Sequence, residues 1–286
     1  MVFICQEVMP RAYSFFAPVI NPYRQRVLTA AGAGAGVVAE EGLEPISSLL
    51  LWSSALAQGA TLLSGLTANV QAGVTTTLPQ PSWVNEASAP AQGDPVFSKL
   101  SLSPKRISCN LDVSSTLLAA SDAEQLLIND LGKSLSGQLD RSVYHGVGGN
   151  APLGIANHPD SVKILHSADW WVDICKGERV TGEADVGELF QSFATNPAGR
   201  ETLRQATRTG ATQPIWSEVS PKMVCTNAVQ GLSVFCGCWQ ECVIGIWMLE
   251  IIVNPFSKAE SGLVQLTGNL YCNVGLRYPN AFAMIS

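Results

Sequence analysis

Leu127, Leu131, Leu135, Leu139 and Val143 recur at every fourth position, with Leu126 and Ile128 beside them, while Asp130, Lys133, Gln138 and Asp140 fall between. This spacing predicts an amphipathic helix over residues 121–144 with one apolar face, its charged positions pointing elsewhere. At about 1.5 Å per residue it is roughly 34 Å long. Ser121 and Glu124 have the spacing of a capping box, which satisfies backbone N–H groups at a helix start. Gly146, Gly148 and Gly149 end the pattern, and Asn150-Ala-Pro-Leu-Gly154 predicts a turn. Gly132 and Gly137 each cost about 1 kcal/mol relative to Ala, so the helix needs neighbours to pack on.

The rest of the chain is arranged around that helix. Residues 1–45 lack a clean period, contain Pro10, Pro18, Pro22 and Pro45, and pass through an Ala/Gly run at 30–36, which predicts an arm, flexible or ordered only by a partner. Residues 46–66 carry a helix-like apolar pattern through Leu49, Leu50, Trp52, Leu56 and Leu62. Gly73–Pro81 is β-branched. Phe97–Val113 alternates in two sets, Leu100 and Leu102, then Ile107, Cys109, Leu111 and Val113, with a change of parity at Ser103-Pro-Lys-Arg106 that predicts a bulge or strand break. Together these predict a long two-stranded hairpin with an extended, polar tip. Such a hairpin is marginal alone in water and must lie on something else.

Downstream, residues 168–177 predict a short helix, 187–194 a strand, and Asn196-Pro-Ala-Gly a helix with an Asn cap and Pro at its first position. Val224, Val234–Cys236 and Val243–Val253 read as buried strands. Val264, Leu266, Leu270, Cys272, Val274, Leu276 and Tyr278 alternate with polar residues in a long half-buried strand that stops at Pro279. The expected class is α+β.

Composition sharpens this. With 286 residues, 47% of them apolar, the chain can bury a sizeable core. Charged residues are only 14%, against about 25% in ordinary soluble domains, which suggests that much of the surface ends against other subunits. A net charge of −6 argues against a basic grip on nucleic acid, so any meeting with DNA is by enclosure. The start lacks a basic n-region and carries Glu7. The apolar stretch 223–253 is broken by Asn227, Gln230, Gln240, Glu241 and Glu250, and reads as two strands and a loop rather than a membrane span. The 8 cysteines are irregularly spaced, and reduced thiols are the default.

No motif for catalysis emerges. Cys236, Cys238 and Cys242 with Cys225 are the densest reactive cluster and offer the rival reading of a thiol or zinc enzyme, but their spacing is not CxxC…CxxC and their neighbours Phe235, Trp239 and Val243 are those of a buried strand. His145, His158 and His166 sit in no HExxH frame. There is no GxSxG elbow and no GxxxxGK[ST], and Gly32, Gly34 and Gly36 do not fit GxGxxG. No catalytic residue, cofactor or metal ligand is assigned.

The order of features is informative as a set. It is carried by Thr77-Leu-Pro79 and Trp83-Val-Asn-Glu86, then Phe97 through Arg106, the helix with Gly146 through Ile155, Thr195-Asn-Pro-Ala198, Leu249 through Phe256, and Arg277-Tyr-Pro-Asn-Ala-Phe282. This collinear set, over about residues 40–285, resembles the major capsid proteins of tailed phages, the Hong Kong phage capsid fold shared with encapsulin shells and herpesvirus floors. The resemblance implies an N-terminal arm (1–45) and an extended hairpin loop (70–113). It implies a peripheral domain (46–69, 114–157 and 258–274, with the 121–144 helix as spine) and an axial domain (158–257 and 275–286).

It also implies the function: pentamers and hexamers of the chain closing into an icosahedral virion shell around double-stranded DNA held without sequence-specific contacts, assembled in the host bacterial cytoplasm. A portal, a separate scaffolding protein and a cement or decoration protein are the expected partners, and no membrane is involved. The expected intersubunit contacts are Trp83, Val84, Asn85 and Glu86 at the tip; Phe97, Lys99, Lys105 and Arg106 on the return strand; and Asp130, Asp140 and Arg141 on the helix. Some relatives cross-link through a hairpin lysine, but the first lysine here is Lys99, past the tip, so no covalent chainmail is expected from that position. Some carry a long charged scaffolding segment at the start. The Ala/Gly-rich start here has none, so scaffolding is expected from a separate protein or from a longer precursor. Within the same fold, the alternative is an encapsulin-like compartment around a cargo enzyme.

Overall fold

The computed structural model describes residues 53–77, 81, 83–85, 89, 93–120, 123–184 and 191–286. The arm at 1–45 and the capping box at Ser121 lie outside them. Helix α1 (Ser54–Ala57) starts at Ser53, whose side chain accepts from Leu56 N–H. The helix expected over 46–66 therefore does not continue through its described part. Gly59 takes φ +99, a conformation open to glycine, and turns the chain into β1 (Thr61–Leu63).

Strands β2 (Val70–Thr77) and β3 (Val96–Leu102) pair antiparallel as a separate two-stranded ribbon. The run read as one return strand is two. After Ser103-Pro104, β4 (Lys105–Ser114) leaves the ribbon and pairs with a different strand. The parity change marks where the chain passes from hairpin to body, so the hairpin is shorter than expected. Helix α2 (Ser115–Ala120) then leads into α3 (Ala123–His145), the long helix.

After α3 come β5 (Val162–Ile164), α4 (Trp170–Glu183), β6 (Gln191–Thr195) and α5 (Pro197–Gln205). The expected end of α4 at Gly177 is a misreading of that glycine: a Cβ there would lie 3.4 Å from the Cβ of Cys236, so Gly177 lets the helix approach the sheet rather than stopping it. Asn196 caps α5 as predicted, its Oδ1 accepting from Gly199 N–H at 2.6 Å, with Pro197 in the first position. Helix α6 (Ile215–Val219), β7 (Met223–Cys225), β8 (Val234–Cys238), β9 (Cys242–Asn254), β10 (Leu263–Leu276) and β11 (Phe282–Ile285) complete the chain.

Two larger sheets result, with orders β1-β9-β10-β4 and β5-β11-β8-β6-β7. Strands β9 and β10 run antiparallel from Gln265 opposite Asn254 to Leu276 opposite Cys242, with an irregularity at Tyr271/Cys272. Helix α3 lies on this first sheet. Leu131, Leu135, Leu139 and Val143 are buried as their spacing predicts. Gly268 of β10 permits the contact, since a Cβ there would stand 3.2 Å from Leu135. Each of these fully buried side chains contributes about 1.5–3 kcal/mol. The main core is continuous across both sheets: Leu135, Leu139 and Tyr144 of α3, Ile244 and Leu270 of the first sheet, and Phe235 and Phe282 of the second share one cluster. Tyr144 packs against Phe235 and Trp239, with ring centroids 5.2 and 5.5 Å apart, and Trp239 meets Phe282 edge-on at 5.8 Å.

Candidate functional site

The β2–β3 ribbon presents apolar side chains to solvent. Trp83 is fully exposed, Phe97 is 69% exposed, and Val84, Val96 and Asn85 are also on the surface; Lys99 is exposed, and Glu86 lies outside the described residues. Among the described residues, the base of the ribbon rests on the body, and Val74 further along β2 is buried as well. Leu100 and Leu102 press on β10 where Gly275 has no side chain: a Cβ there would lie 2.8 Å from each. Burying an exposed Trp or Phe contributes about 2–3 kcal/mol, so the ribbon gains by being covered.

The remaining expected contact residues divide. Arg106, Asp130 and Arg141 are exposed, and Asp130 lies 3.4 Å from Lys133. Lys105 is half-buried and is used within the chain: its Nζ donates to the carbonyls of Gly149 (2.8 Å) and Ala151, fastening the turn after α3 to β4.

Asp140 is the clear correction. It is 2% exposed and does not point to solvent. Its Oδ1 accepts from Ser53 Oγ at 2.6 Å, and its Oδ2 accepts from Ser54 N–H at 2.6 Å and Ser54 Oγ at 2.7 Å. The carboxylate therefore holds the start of α1, at the point where residues 1–52 join the body. A negative charge against the first N–H groups of a helix is in its favoured place. Sequence reasoning missed Ser53 and Ser54; their only local signal is a pair of helix-capping residues.

It also missed the crossing after α3. Gly146 N–H donates to Ser142 O at 3.0 Å, and Gly154 N–H donates to Gly146 O at 2.9 Å, closing the turn on the helix end. A Cβ on Gly154 would stand 2.4 Å from Gly146 N and 2.6 Å from Ser142 O. Nearby, Gln230 N–H donates to His145 Nε2 at 2.9 Å, and burial holds the imidazole pKa down, in keeping with a neutral acceptor.

A second buried carboxylate, Asp173 of α4, has no solvent exposure. It accepts from Ser167 N–H (2.7 Å), Ser167 Oγ (2.8 Å) and Lys176 Nζ (3.0 Å), and His166 Nδ1 faces it at 2.9 Å. Burial pushes its pKa up, but these partners outweigh burial and bring it down to about 2 from 3.8. A depressed carboxylate contributes stability above its unfolded pKa and loses it as pH falls through the folded value. The unfolding free energy of the wild type is therefore expected to fall, relative to Asp173→Asn, by on the order of 2 kcal/mol between about pH 4 and pH 2. Denaturant titrations of both proteins across that window check it; a constant gap between them refutes it. The His166 ring also stacks on Trp170 at 3.9 Å, and the His166 backbone N–H donates to Ser286 O at 2.9 Å, so this cluster ties the chain after the last strand to α4.

The thiols do not converge. Cys236 packs with Ile174 and Phe193, whereas Cys238 and Cys242 belong to the main core. Burial pushes the pKa of Cys236 and of Cys242 up to about 12, and that of Cys238 up as well. Protonated, separated thiols are poor nucleophiles and poor metal ligands. Among the described residues no group of three His, Cys, Asp or Glu side chains is placed to hold a metal ion, and no helix is long and apolar enough to cross a membrane.

Comparison with known proteins agrees with this architecture. The model of the phage capsid family matches residues 34–286. The major capsid protein of Halomonas phage phiHAP-1 is 27% identical over 241 residues, covering 80% of this chain and 39% of its own length. The chain thus spans about two-fifths of that relative. Among solved structures, the capsid of the native GTA particle superposes with a TM-score of 0.66 at 14% identity, over 81% of this chain and 89% of that one. A chain from the solved structure of Microbacterium phage Oxtober96 gives 0.65 at 15% identity, over 82% of this chain and 90% of that one. At these identities the likeness is one of fold.

Proposed function

This chain belongs to the phage capsid family, and from that premise we propose that it is a major capsid protein whose copies form pentamers and hexamers of an icosahedral head around double-stranded DNA. The observation that carries the reading is the ribbon: Trp83 and Phe97 stand in water on a two-stranded arm whose base, Leu100 and Leu102, packs on β10. An isolated ribbon of this kind is marginal, and a neighbouring copy is the surface that completes it. A subunit with different surfaces on its two sides makes head-to-tail contacts that close into rings, and rings join into a shell.

In this reading residues 1–45 are the arm and the ribbon, ending at Leu102, is the extended loop. Helix α3 with the first sheet forms the peripheral domain, and the second sheet with α4 to α6 forms the axial domain. Trp83, Val84, Asn85, Glu86, Phe97, Lys99, Arg106, Asp130 and Arg141 remain the proposed contacts between copies. Lys105 and Asp140, fastened inside the chain, act on assembly only through the segments they hold. The acidic balance of the chain, −6 overall, suits a container whose DNA must enter and leave, since a basic lining would retain it through phosphate contacts. A portal and a separate scaffolding protein are the proposed partners, with a decoration protein on the outer face, and the virion is the destination after assembly in the bacterial cytoplasm.

The experiment is deletion of residues 82–94 in the full chain, read by negative-stain electron microscopy beside the wild type. Wild-type shells with dispersed subunits from the deletion are the expected result. Normal shells from the deletion remove the intersubunit role of the ribbon, and a wild type that stays monomeric at high concentration removes the capsid reading itself.

A further inference from the structure

The loop between β7 and β8, residues 226–233, joins the end of α3 to the second sheet, and polar clamps close on two of its residues. Gln230 N–H donates to Nε2 of His145, the last residue of α3, at 2.9 Å. Gln230 O accepts from Ser233 Oγ at 2.9 Å. Gly231 O accepts from Nδ2 of Asn196, the side chain whose Oδ1 caps α5. Gly231 turns the chain at φ +69, and Leu232, next in line, is 46% exposed. The first half of the loop is anchored differently: Thr226 N–H donates to Thr195 O at 2.8 Å, and Ala228 and Val229 are buried in the main core. The turn at 230–232 therefore rests on the clamps.

Of these clamps, the His145 bond alone depends on protonation. An imidazole accepts at Nε2 when it is neutral with its proton on Nδ1, whereas the cation carries N–H at both nitrogens. In the cation, Nε2–H would face Gln230 N–H, so two donors would meet where a hydrogen bond stood. The ring is held in that position, since it meets Phe235 edge-on with centroids 5.2 Å apart, and the His145 carbonyl accepts from Asn157 Nδ2 at 3.1 Å.

The loop itself brings no ionisable side chain to the ring. The titratable and charged groups on the elements around it are Asp140, Arg141 and Tyr144 of α3, His158 and Asp160 beyond the turn, Arg200 and Glu201 of α5, Cys225 of β7, and Cys236 and Cys238 of β8. None of them is hydrogen-bonded or ion-paired to the imidazole. The negative end of α3 favours the cation. Burial opposes it and holds the imidazole below its ordinary pKa of 6.5, and Arg141, one turn earlier on the same helix face, adds a like charge.

We propose that His145 is an acid-released latch: neutral, it holds the 230–232 turn on the end of α3, and on taking up a proton it frees that turn, and Leu232 with it, while the core and the α5 cap stay in place. The bond is present at neutral pH and is lost as pH falls through the lowered imidazole pKa. The apolar side chain at this corner of the subunit is thus fixed at neutral pH and loose in acid. This inference does not rest on the capsid reading.

The test follows hydrogen exchange in the full-length protein at pH 7 and pH 5, on peptides covering 226–233 and corrected for the intrinsic rate. Protection in the wild type should fall about tenfold on acidification. In His145→Gln, whose carboxamide oxygen accepts from Gln230 N–H without titrating, it should change by less than about twofold. His145→Phe, with no acceptor, should be as open at pH 7 as the wild type is at pH 5. The same fall in wild type and His145→Gln overturns the latch, as does wild-type protection that stays constant or a loss shared equally by β9 and β10, which is global unfolding. The nitrogen chemical shifts of the imidazole give a reading that needs no variant: the proton is expected on Nδ1 at neutral pH, and a proton on Nε2 overturns the acceptor role.

Discussion

Alanine at Gly154 is expected to leave no folded, soluble chain. The added Cβ would stand 2.4 Å from Gly146 N, 2.6 Å from Ser142 O and 2.9 Å from Val143 O. All three are backbone atoms, and two of them belong to the last turn of α3, so no side chain can rotate away. Either the turn opens, losing the Gly154 N–H to Gly146 O bond, or the helix end unwinds above the buried Val143 and Tyr144. The cost is about 3 kcal/mol or more, a large share of the stability of an ordinary domain. Gly137→Ala in the same helix is the control: nothing lies within 4 Å of its Cβ position. It is expected to stabilise by up to about 1 kcal/mol. Soluble yield and thermal unfolding of the two variants decide. Wild-type stability in Gly154→Ala would mean that this crossing is not as close as described.

The second large effect is expected at Asp140. Replacing it with Ala strips the partner from Ser53 Oγ, Ser54 N–H and Ser54 Oγ at once, three contacts of 2.6–2.7 Å around a carboxylate that is itself buried. Unsatisfied buried donors cost about 1–3 kcal/mol each, and their shared loss is expected to total about 3–5 kcal/mol. Asp130→Ala, on an exposed carboxylate of the same helix, should stay within about 0.5 kcal/mol. Denaturant unfolding measures both. Limited proteolysis gives a second readout, since loss of the anchor should expose the chain around Ser53 to cleavage before the rest of the body. Equal stabilities for Asp140→Ala and Asp130→Ala would refute the anchoring role.

These two residues also show where sequence reading stops. The apolar register of α3 was legible because leucines four apart can bury themselves on only one face, and Leu131, Leu135, Leu139 and Val143 do so. The long strands β9 and β10 were legible from runs of apolar and alternating residues, and the cap of α5 from its Asn-Pro pair. Asp140 was not, because its partners lie 86 and 87 residues away in sequence and a charged residue on a helix reads as surface by default. From the sequence, Gly177 reads as the end of its helix and Gly154 as part of a turn, because glycine signals a missing side chain but does not say whether the space is also needed by a neighbour. The parity change at Ser103–Arg106 located a break in the return strand. What lay on either side was set by pairing with β2 and β10, which no local pattern encodes.

The aromatic contact of Tyr144, Trp239, Phe235 and Phe282 has a mechanical consequence. Tyr144 at the end of α3 touches Phe235 of the second sheet and Trp239 just beyond β8, and Trp239 touches Phe282, so the helix end cannot swing away from that sheet without parting these rings. In the shell proposed above, a push on α3 therefore passes directly to that sheet.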